Sequence, residues 1–275
     1  MHTYAYLGPA GTFTEAALLK IAGADDQRTP YNTVTAALDA VRSGQADFAL
    51  VPIENSVEGV VARTLDELAT GEPLTIAAEV TLPVTFDLMV KAGTSDIKRI
   101  GTHPHAESQC RTYLSTNYPD AVIFPTNSTA AAAELVARGE LDAAIASSAA
   151  AANFGLEVIA ENIGDNQVAV TRFIAAQKPG NLSGSTGHDR TSLVVYIDID
   201  HAGALLEILS VFAKYDVNLT FIQSRPTGRE LGHYHFIIDV EGHINDEAVA
   251  KSMEELREIC DDIRFLGSYP REVRS

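Results

Sequence analysis

Residues 178–189 constrain this chain more than any other stretch. Pro179, Gly180, Gly184 and Gly187 stand there among Asn181, Ser183, Ser185 and Thr186. That composition reads as a flexible linker rather than as a helix or strand. A break at this point divides the 275 residues into a long front region and a back unit of roughly eighty residues, both within ordinary domain sizes. Each side must then bury a core of its own. Apolar residues make up 46% of the chain, enough to do so and too many for a disordered chain.

The back unit has a simple rhythm. Residues 191–198 alternate as a strand. Residues 202–215 are helical, with Ala204, Leu205, Ile208, Leu209 and Phe212 on one face. A strand over 219–224, a turn over 226–232 and a strand over 233–240 follow. Asn245 then caps a helix that runs through Cys260, and 263–269 is the last strand. The order is βαββαβ, a ferredoxin-like unit.

The front region alternates strand and helix. Residues 3–7 form a strand. Thr12 and Glu15 fit the two ends of a capping box that opens a helix through Ile21. Asn32 or Thr33 starts a second helix that Gly44 ends. Strands are expected at 46–51, 74–82, 85–91, 97–100, 122–124, 141–146, 157–160 and 168–175. Helices are expected around 63–68, after the 101–110 segment to Leu114, from Asn127 or Ser128 to Val136, and from Ser147 or Ser148 to Asn153. Such alternation argues for α/β architecture with a mainly parallel sheet, or two of them. Pro83 suggests a crossover into a second lobe. The strand at 168–175 closes the region just before the linker, so it is well placed to be the return crossing.

Net charge sets the class of partner. A formal charge of −17 repels nucleic acid and anionic lipid, which excludes both as partners. An anion site must therefore be built locally, from backbone N–H groups, helix starts and a few arginines. Cys110 and Cys260 form no Cys-x-x-Cys pair and read as reduced thiols of a cytoplasmic protein. The first residues enter a strand directly, with no basic n-region or apolar h-region, so no signal peptide is expected. No apolar run nears the ~20 residues of a membrane-spanning helix.

Four stretches carry chemistry. Gly8-Pro9-Ala10-Gly11-Thr12-Phe13-Thr14-Glu15 joins a strand, a glycine turn and a capped helix start, which is a candidate anion cradle or an ordinary βα turn. It lacks the Gly-x-Gly-x-x-Gly of a dinucleotide site. Pro52-Ile53-Glu54-Asn55-Ser56-Val57-Glu58-Gly59 is too polar for a continued strand and lies at the C-terminal end of one, where open α/β sheets bind ligands. Glu54, Asn55 and Ser56 supply an acceptor, a two-sided amide and a hydroxyl, or else a helix-capping cluster. His103 and His105 flank Pro104, and with no third ligand nearby they read as a turn device rather than a metal site. Thr171-Arg172-Phe173 places a hydroxyl and a guanidinium inside an apolar strand, with Thr171 and Arg172 on opposite sides of it.

These motifs, in this order, resemble the prephenate dehydratase family along essentially the whole chain. The first, second and last stretches resemble its three signatures. The back unit resembles the ACT regulatory domain that binds phenylalanine in that family. Gly203-Ala204-Leu205 matches one ligand segment, and Gln223-Ser224-Arg225-Pro226 matches the other, with Gln223 where the family more often has Glu. The resemblance implies a two-lobed α/β catalytic region similar to type 2 periplasmic binding proteins. It places the catalytic domain at 1–178, with one lobe about 1–80 and 166–178 and the other about 81–165. A linker at 179–190 and an ACT domain at 191–275 complete it.

The resemblance also implies that Asn55, Thr102, Gln109 and Thr171 line a site, and the chemistry of the neighbouring residues completes the expected set. Thr171, Glu54 and Asn55 carry the chemistry. Gly11, Thr12, Phe13, Ser56, Thr102, Gln109 and Phe173 bind substrate, with Thr102 where the family often has Ser. Gly203, Ala204, Leu205, Ser224, Arg225 and Pro226 bind phenylalanine. A homodimer or homotetramer is implied, and no cofactor or metal is required, because aromatisation drives loss of carbon dioxide and hydroxide from prephenate. Hydroxide leaves poorly, so a proton or strong hydrogen bond must reach it. Thr171 ranks first as that donor and Glu54 second, if burial keeps its carboxyl protonated. Two other readings remain open: arogenate dehydratase, and a ligand-sensing protein without chemistry.

Overall fold

A computed structural model describes residues 1–180, 182–197, 201–227 and 234–272. Among these, the front region holds two sheets. The first has the order β2-β1-β3-β11-β5, built from β1 (Thr3–Leu7), β2 (Gln27–Tyr31), β3 (Phe48–Asn55), β5 (Thr75–Pro83) and β11 (Val170–Gln177), with the short β4 (Gly59–Val60) folded back on β3. The second has the order β10-β6-β9-β7-β8, from β6 (Asp87–Val90), β7 (Arg99–Thr102), β8 (Val122–Pro125), β9 (Ala143–Ala146) and β10 (Glu157–Ala160). The chain leaves the first sheet after β5 and returns to it as β11. The stretch ahead of the linker is therefore the return crossing, and this double crossing is the plan of type 2 periplasmic binding proteins.

The sheets are more mixed than strand–helix alternation suggests. β6 runs antiparallel to both β9 and β10, while β7 is parallel to β8 and β9. Two crossings between sheets reverse the direction of strands next to them, which a periodicity argument cannot detect. β2 carries no strand pattern at all, because four of its five residues are exposed at the sheet edge. The first helix, α1 (Phe13–Leu18), stops three residues before Ile21. The helix expected after Cys110 is α5 (Arg111–Asn117), but a further short helix, α4 (Pro104–Ser108), precedes it, and β7 ends at Thr102 rather than at Ile100.

The largest correction concerns β3. The polar segment after Val51 does not leave the sheet but continues as strand through Asn55. Ile53 is 1% exposed, and Glu54 and Asn55 pair across the hairpin with Val60 and Gly59. Burial of one apolar side chain and a two-residue return strand hold extended backbone that composition argues against.

Small residues let elements approach. α6 (Thr129–Ala137), capped by Ser128, lies so near β7 that a Cβ on Gly101 would stand 3.2 Å from the Ala132 Cβ and 2.5 Å from a Leu141 methyl. α7 (Ser148–Phe154) starts at Ser147 and ends at the left-handed Gly155. Cys110 and Cys260 are free thiols, and burial pushes the first up to about 12 and the second to about 11.

The back region holds an antiparallel sheet of order β13-β14-β12-β15, from β12 (Asp189–Tyr196), β13 (Leu219–Pro226), β14 (Tyr234–Glu241) and β15 (Asp262–Pro270). α8 (Ala204–Lys214) and α9 (Glu247–Ile259) cover one face. There Leu193, Val195, Ile238 and Val240 meet Ile208, Phe212, Met253 and Leu256. Asp246, not Asn245, is the N-cap of α9, and its carboxylate takes the His243 N–H at 2.7 Å. The expected turn over 226–232 lies largely outside the described residues, as do Asp198, His233 and Asn181. The remaining linker is tethered rather than free. Thr186 and Gly187 donate to the buried Asp189 carboxylate, and the Ser183 carbonyl meets His243 Nε2 at 2.9 Å.

The chain separates into two compact units, one of Met1–Ala37, Leu50–Val61 and Val80–Phe173, the other of Leu38–Ala49, Ala62–Glu79 and Ile174–Ser275. In the second unit, the face of the C-terminal sheet away from its helices meets α3 (Ala62–Thr70) and the start of β5. Tyr196 Oη donates to the Ala69 carbonyl, and Arg264 Nη1 to the carbonyls of Leu68 and Gly71 at 3.0 and 2.8 Å. Arg190 meets Glu79 at 2.7 Å. Gly267, at φ 133°, lets β15 approach so closely that a Cβ there would stand 2.4 Å from the Ile76 oxygen.

Candidate active site

Alternation along β3 and β11 builds the centre of the site. The strands are neighbours, and each contributes two consecutive polar residues. Asn55 Nδ2 donates to Thr171 Oγ1 at 2.8 Å, and Arg172 Nη1 donates to Glu54 Oε1 at 2.9 Å. Consecutive strand residues point to opposite faces, so the two pairs lie on opposite sides of the sheet. Glu54 is therefore not an acid beside Thr171. It is the carboxylate partner of Arg172, a guanidinium that is itself only 5% exposed.

Asn55 has a fixed orientation. Its Oδ1 accepts from the backbone N–H groups of Val57 and Glu58 at 2.8 and 2.9 Å. An amide oxygen occupied by two donors leaves only the NH2 end for Thr171. Thr171 Oγ1 is then an acceptor toward Asn55, and its own hydrogen is aimed elsewhere. Ser56 serves the same strand. Its N–H donates to the Val170 carbonyl and its Oγ accepts from the Val170 N–H, each at 2.9 Å. That hydroxyl oxygen holds the residue before Thr171 in place.

Gln109 ends α4, is 8% exposed, and donates from Nε2 to Glu58 Oε1 at 2.9 Å. Glu58 lies inside the second motif yet was not singled out among its polar residues. The glutamate three residues beyond Asn55 was the signal for it. Its other oxygen, Oε2, stands 3.9 Å from His105 Nδ1. His103 caps α4 through Nδ1, at 3.3 Å from the His105 N–H, and burial, with His105 beside it, lowers its pKa. Among the described residues no three His, Cys, Asp or Glu side chains group as metal ligands would.

Other expected site residues have different work. Thr102 is fully buried and donates to the Ile145 carbonyl at 2.9 Å, tying β7 to β9. Phe173 is 1% exposed and belongs to the core. The first motif supplies its own anion. Glu15 Oε2 accepts the Gly11 N–H at 2.6 Å, and Glu15 Oε1 accepts from Tyr6 Oη at 2.9 Å. Burial, with Glu15 adjacent, pushes the Tyr6 phenol up. Thr12 accepts the Glu15 N–H at 3.4 Å and donates toward the Pro9 carbonyl at 3.0 Å. The capping box thus closes through Gly11, and the cradle amide at Gly11 is already taken. Phe13 stacks edge-on against Phe86 at 5.7 Å. Phe86, with Thr85, Asn162, Asn166 and Gln167, lines a cleft of about 260 Å³ at the two crossings.

In the back unit, Gly203 takes φ 101° at the start of α8, Ala204 is buried and Leu205 is 36% exposed. Ser224 and Pro226 are exposed on β13, the sheet's outer strand. Arg225 is bound bidentately to Asp66 of α3, at 2.9 and 2.8 Å. Its guanidinium is spent on a carboxylate of the same unit.

Fold and site together define a double-crossing α/β region with a hydroxyl-and-amide centre, followed by a small ferredoxin-like unit. The family model for prephenate dehydratase matches residues 4–181, and that for the ACT domain matches 191–258. A prephenate dehydratase from Mycobacterium ulcerans is 46% identical, over 98% of this chain and 89% of its own. Among solved structures, the prephenate dehydratase of Arthrobacter aurescens in complex with L-Phe is similar at 51% identity and a TM-score of 0.92, covering 98% of this chain and 90% of its own. GqqA, described as a novel type of quorum quenching acylase, is similar at 29% identity and a TM-score of 0.86, covering 98% of each chain. The chain belongs to the prephenate dehydratase family.

Proposed function

We propose that this protein converts prephenate to phenylpyruvate, with Thr171 as the group that assists departure of the ring hydroxyl. In that reaction the bond to the ring carboxylate breaks and its electron pair enters the ring. The carbon–oxygen bond opposite breaks, hydroxide takes up a proton, and carbon dioxide and water leave an aromatic product. The observation that carries this reading is the 2.8 Å bond from Asn55 Nδ2 to Thr171 Oγ1. A donor on the threonine oxygen disperses the charge that builds as its hydrogen moves toward the departing oxygen. Oriented donors of this kind in a water-poor site contribute about 10²–10³ in rate. Asn55 is the polarising partner, and Gln109 is the further amide at the site. Thr12 and Phe13 supply the cradle's remaining amides.

The catalytic domain is residues 1–178, joined through 179–190 to the ACT domain at 191–275. Phenylalanine regulates turnover through a site that includes Gly203–205 and 224–226, and the protein works as a homo-oligomer in the cytoplasm. Among the described residues no helix is long and apolar enough to cross a membrane. The test is incubation of the purified protein with prephenate and, separately, arogenate, following phenylpyruvate or phenylalanine, with and without added phenylalanine. Turnover of prephenate that phenylalanine alters is expected. Preference for arogenate would move the assignment to the aminated substrate. Absence of turnover with both would leave a ligand sensor. Sedimentation at several concentrations checks the oligomer.

A further inference from the structure

We infer that Glu58 is a positioning residue for the proposed reaction: its carboxylate fixes which end of the Gln109 amide is offered to the substrate. The inference rests on the prephenate reading of the site. The two ends of a glutamine amide have the same shape and opposite chemistry. Gln109 is 8% exposed at the end of α4, so both orientations fit the space equally and only a partner can choose between them. Glu58 Oε1, 2.9 Å from Nε2, is that partner. A carboxylate accepts and does not donate, so the NH2 end must face it, and Gln109 Oε1 becomes the end left for a ligand.

Glu58 is itself held by the centre of the site. Its backbone N–H donates to Asn55 Oδ1 at 2.9 Å, the same oxygen whose occupation turns Asn55 Nδ2 onto Thr171. One turn, from Asn55 to Glu58, therefore sets the direction of two amides. Asn55 is fixed as a donor and Gln109 as an acceptor. The two are complementary for a substrate hydroxyl, which must receive a hydrogen bond from Thr171 while placing its own hydrogen somewhere. The bond also ties the hairpin β3–β4 of the first sheet to the helix that follows β7 of the second.

A double-mutant cycle tests this. Glu58→Ala, Glu58→Gln, Gln109→Ala and Glu58→Ala/Gln109→Ala are compared with the wild-type protein for kcat, KM and thermal midpoint, using prephenate. Glu58→Ala is expected to lower kcat about tenfold with KM within about twofold, because a freed amide spends much of its time reversed. Glu58→Gln keeps the shape, but its amide can turn either end toward Gln109, so it is expected to lose rate partway toward Glu58→Ala. The double variant is expected to be no slower than Gln109→Ala, since two residues acting through one contact are not additive. Normal kcat in Glu58→Ala, or losses that simply multiply, overturns the inference while wild-type turnover leaves the prephenate reading standing. Wild-type protein inert toward prephenate overturns both. If Glu58→Ala lowers the thermal midpoint enough to compromise folding, Glu58→Gln still decides. Wild-type kcat in Glu58→Gln would overturn the inference, because a residue able to face Gln109 with either end cannot be what fixes its direction.

Discussion

Thr171 on β11 and Arg190 on β12 are both polar, both on interior strands and both nearly buried, but they are satisfied in different ways. Thr171 receives a neutral amide. Arg190 receives a carboxylate, Glu79, at 2.7 Å, with Asp239 a further 3.8 Å neighbour. The pattern extends around each. Thr171 meets an amide on its own face, and the adjacent guanidinium, Arg172, is turned to the other face and paired with Glu54. On the back of the C-terminal sheet, Arg190, Arg225 and Arg264 bond to α3 and β5. A buried ion pair holds elements in register but binds charge to charge. A neutral donor keeps its polarity available for charge that appears only during a reaction. The comparison separates residues that fasten the chain from residues that act.

The strongest way to break this comparison is at Thr171. Thr171→Ala should lower kcat by about 10²–10³-fold with a small change in KM, while Thr171→Ser keeps most of the rate. Steady-state kinetics on prephenate check it, and near-normal turnover would place Thr171 with the fastening residues. Next is Glu79. Replacing it with Ala leaves Arg190, 11% exposed, without its close carboxylate, and should cost about 3 kcal/mol in urea unfolding. Asp66→Ala breaks a pair whose side chains are 23% and 35% exposed, so the loss should stay below about 1 kcal/mol.

The smallest effect concerns His235, which sharpens the contrast because it has neither kind of partner. It is 1% exposed, and neither ring nitrogen has a hydrogen-bond partner. Tyr196 lies 5.6 Å from it, Arg225 stands opposite on β13, and Asp66 and Arg264 act on it. Burial lowers its pKa, so the unfolded chain takes up a proton at a higher pH than the folded one. Stability is complete above the unfolded value, about 6.5, and falls as pH drops through and below it. His235→Phe should unfold with a smaller difference in urea midpoint between pH 7.5 and 5.5 than wild type. An equal difference would show that His235 charges without penalty.

Much of this was legible in the residues. Capping signals found the starts of α1 and α6, and the βαββαβ order of the back unit followed from period and turn chemistry, because those cues are local. The motif around Asn55 and Thr171 was also legible as a place. Which of its polar side chains share a face was not. Glu54 and Asn55 look equivalent in one dimension, and only the pairing of β3 with β11 sends them to opposite faces. Thr102 and Phe173 looked available, but the strands that bury them come from elsewhere in the chain. Glu15 reads locally as a cap and Glu58 as one more polar residue of its motif, yet the fold places each carboxylate on a specific N–H group.

By itself the sequence determined the elements, the two-part division, the anionic character of the surface and the short list of side chains that can do chemistry, all properties of neighbouring residues. Tertiary structure alone decided which of those side chains share a face, which way each amide points and which hydroxyls are already spent. The shared faces depend on partners far along the chain, 116 residues for Thr171 and Asn55 and 51 for Gln109 and Glu58, and no local pattern encodes a contact of that range.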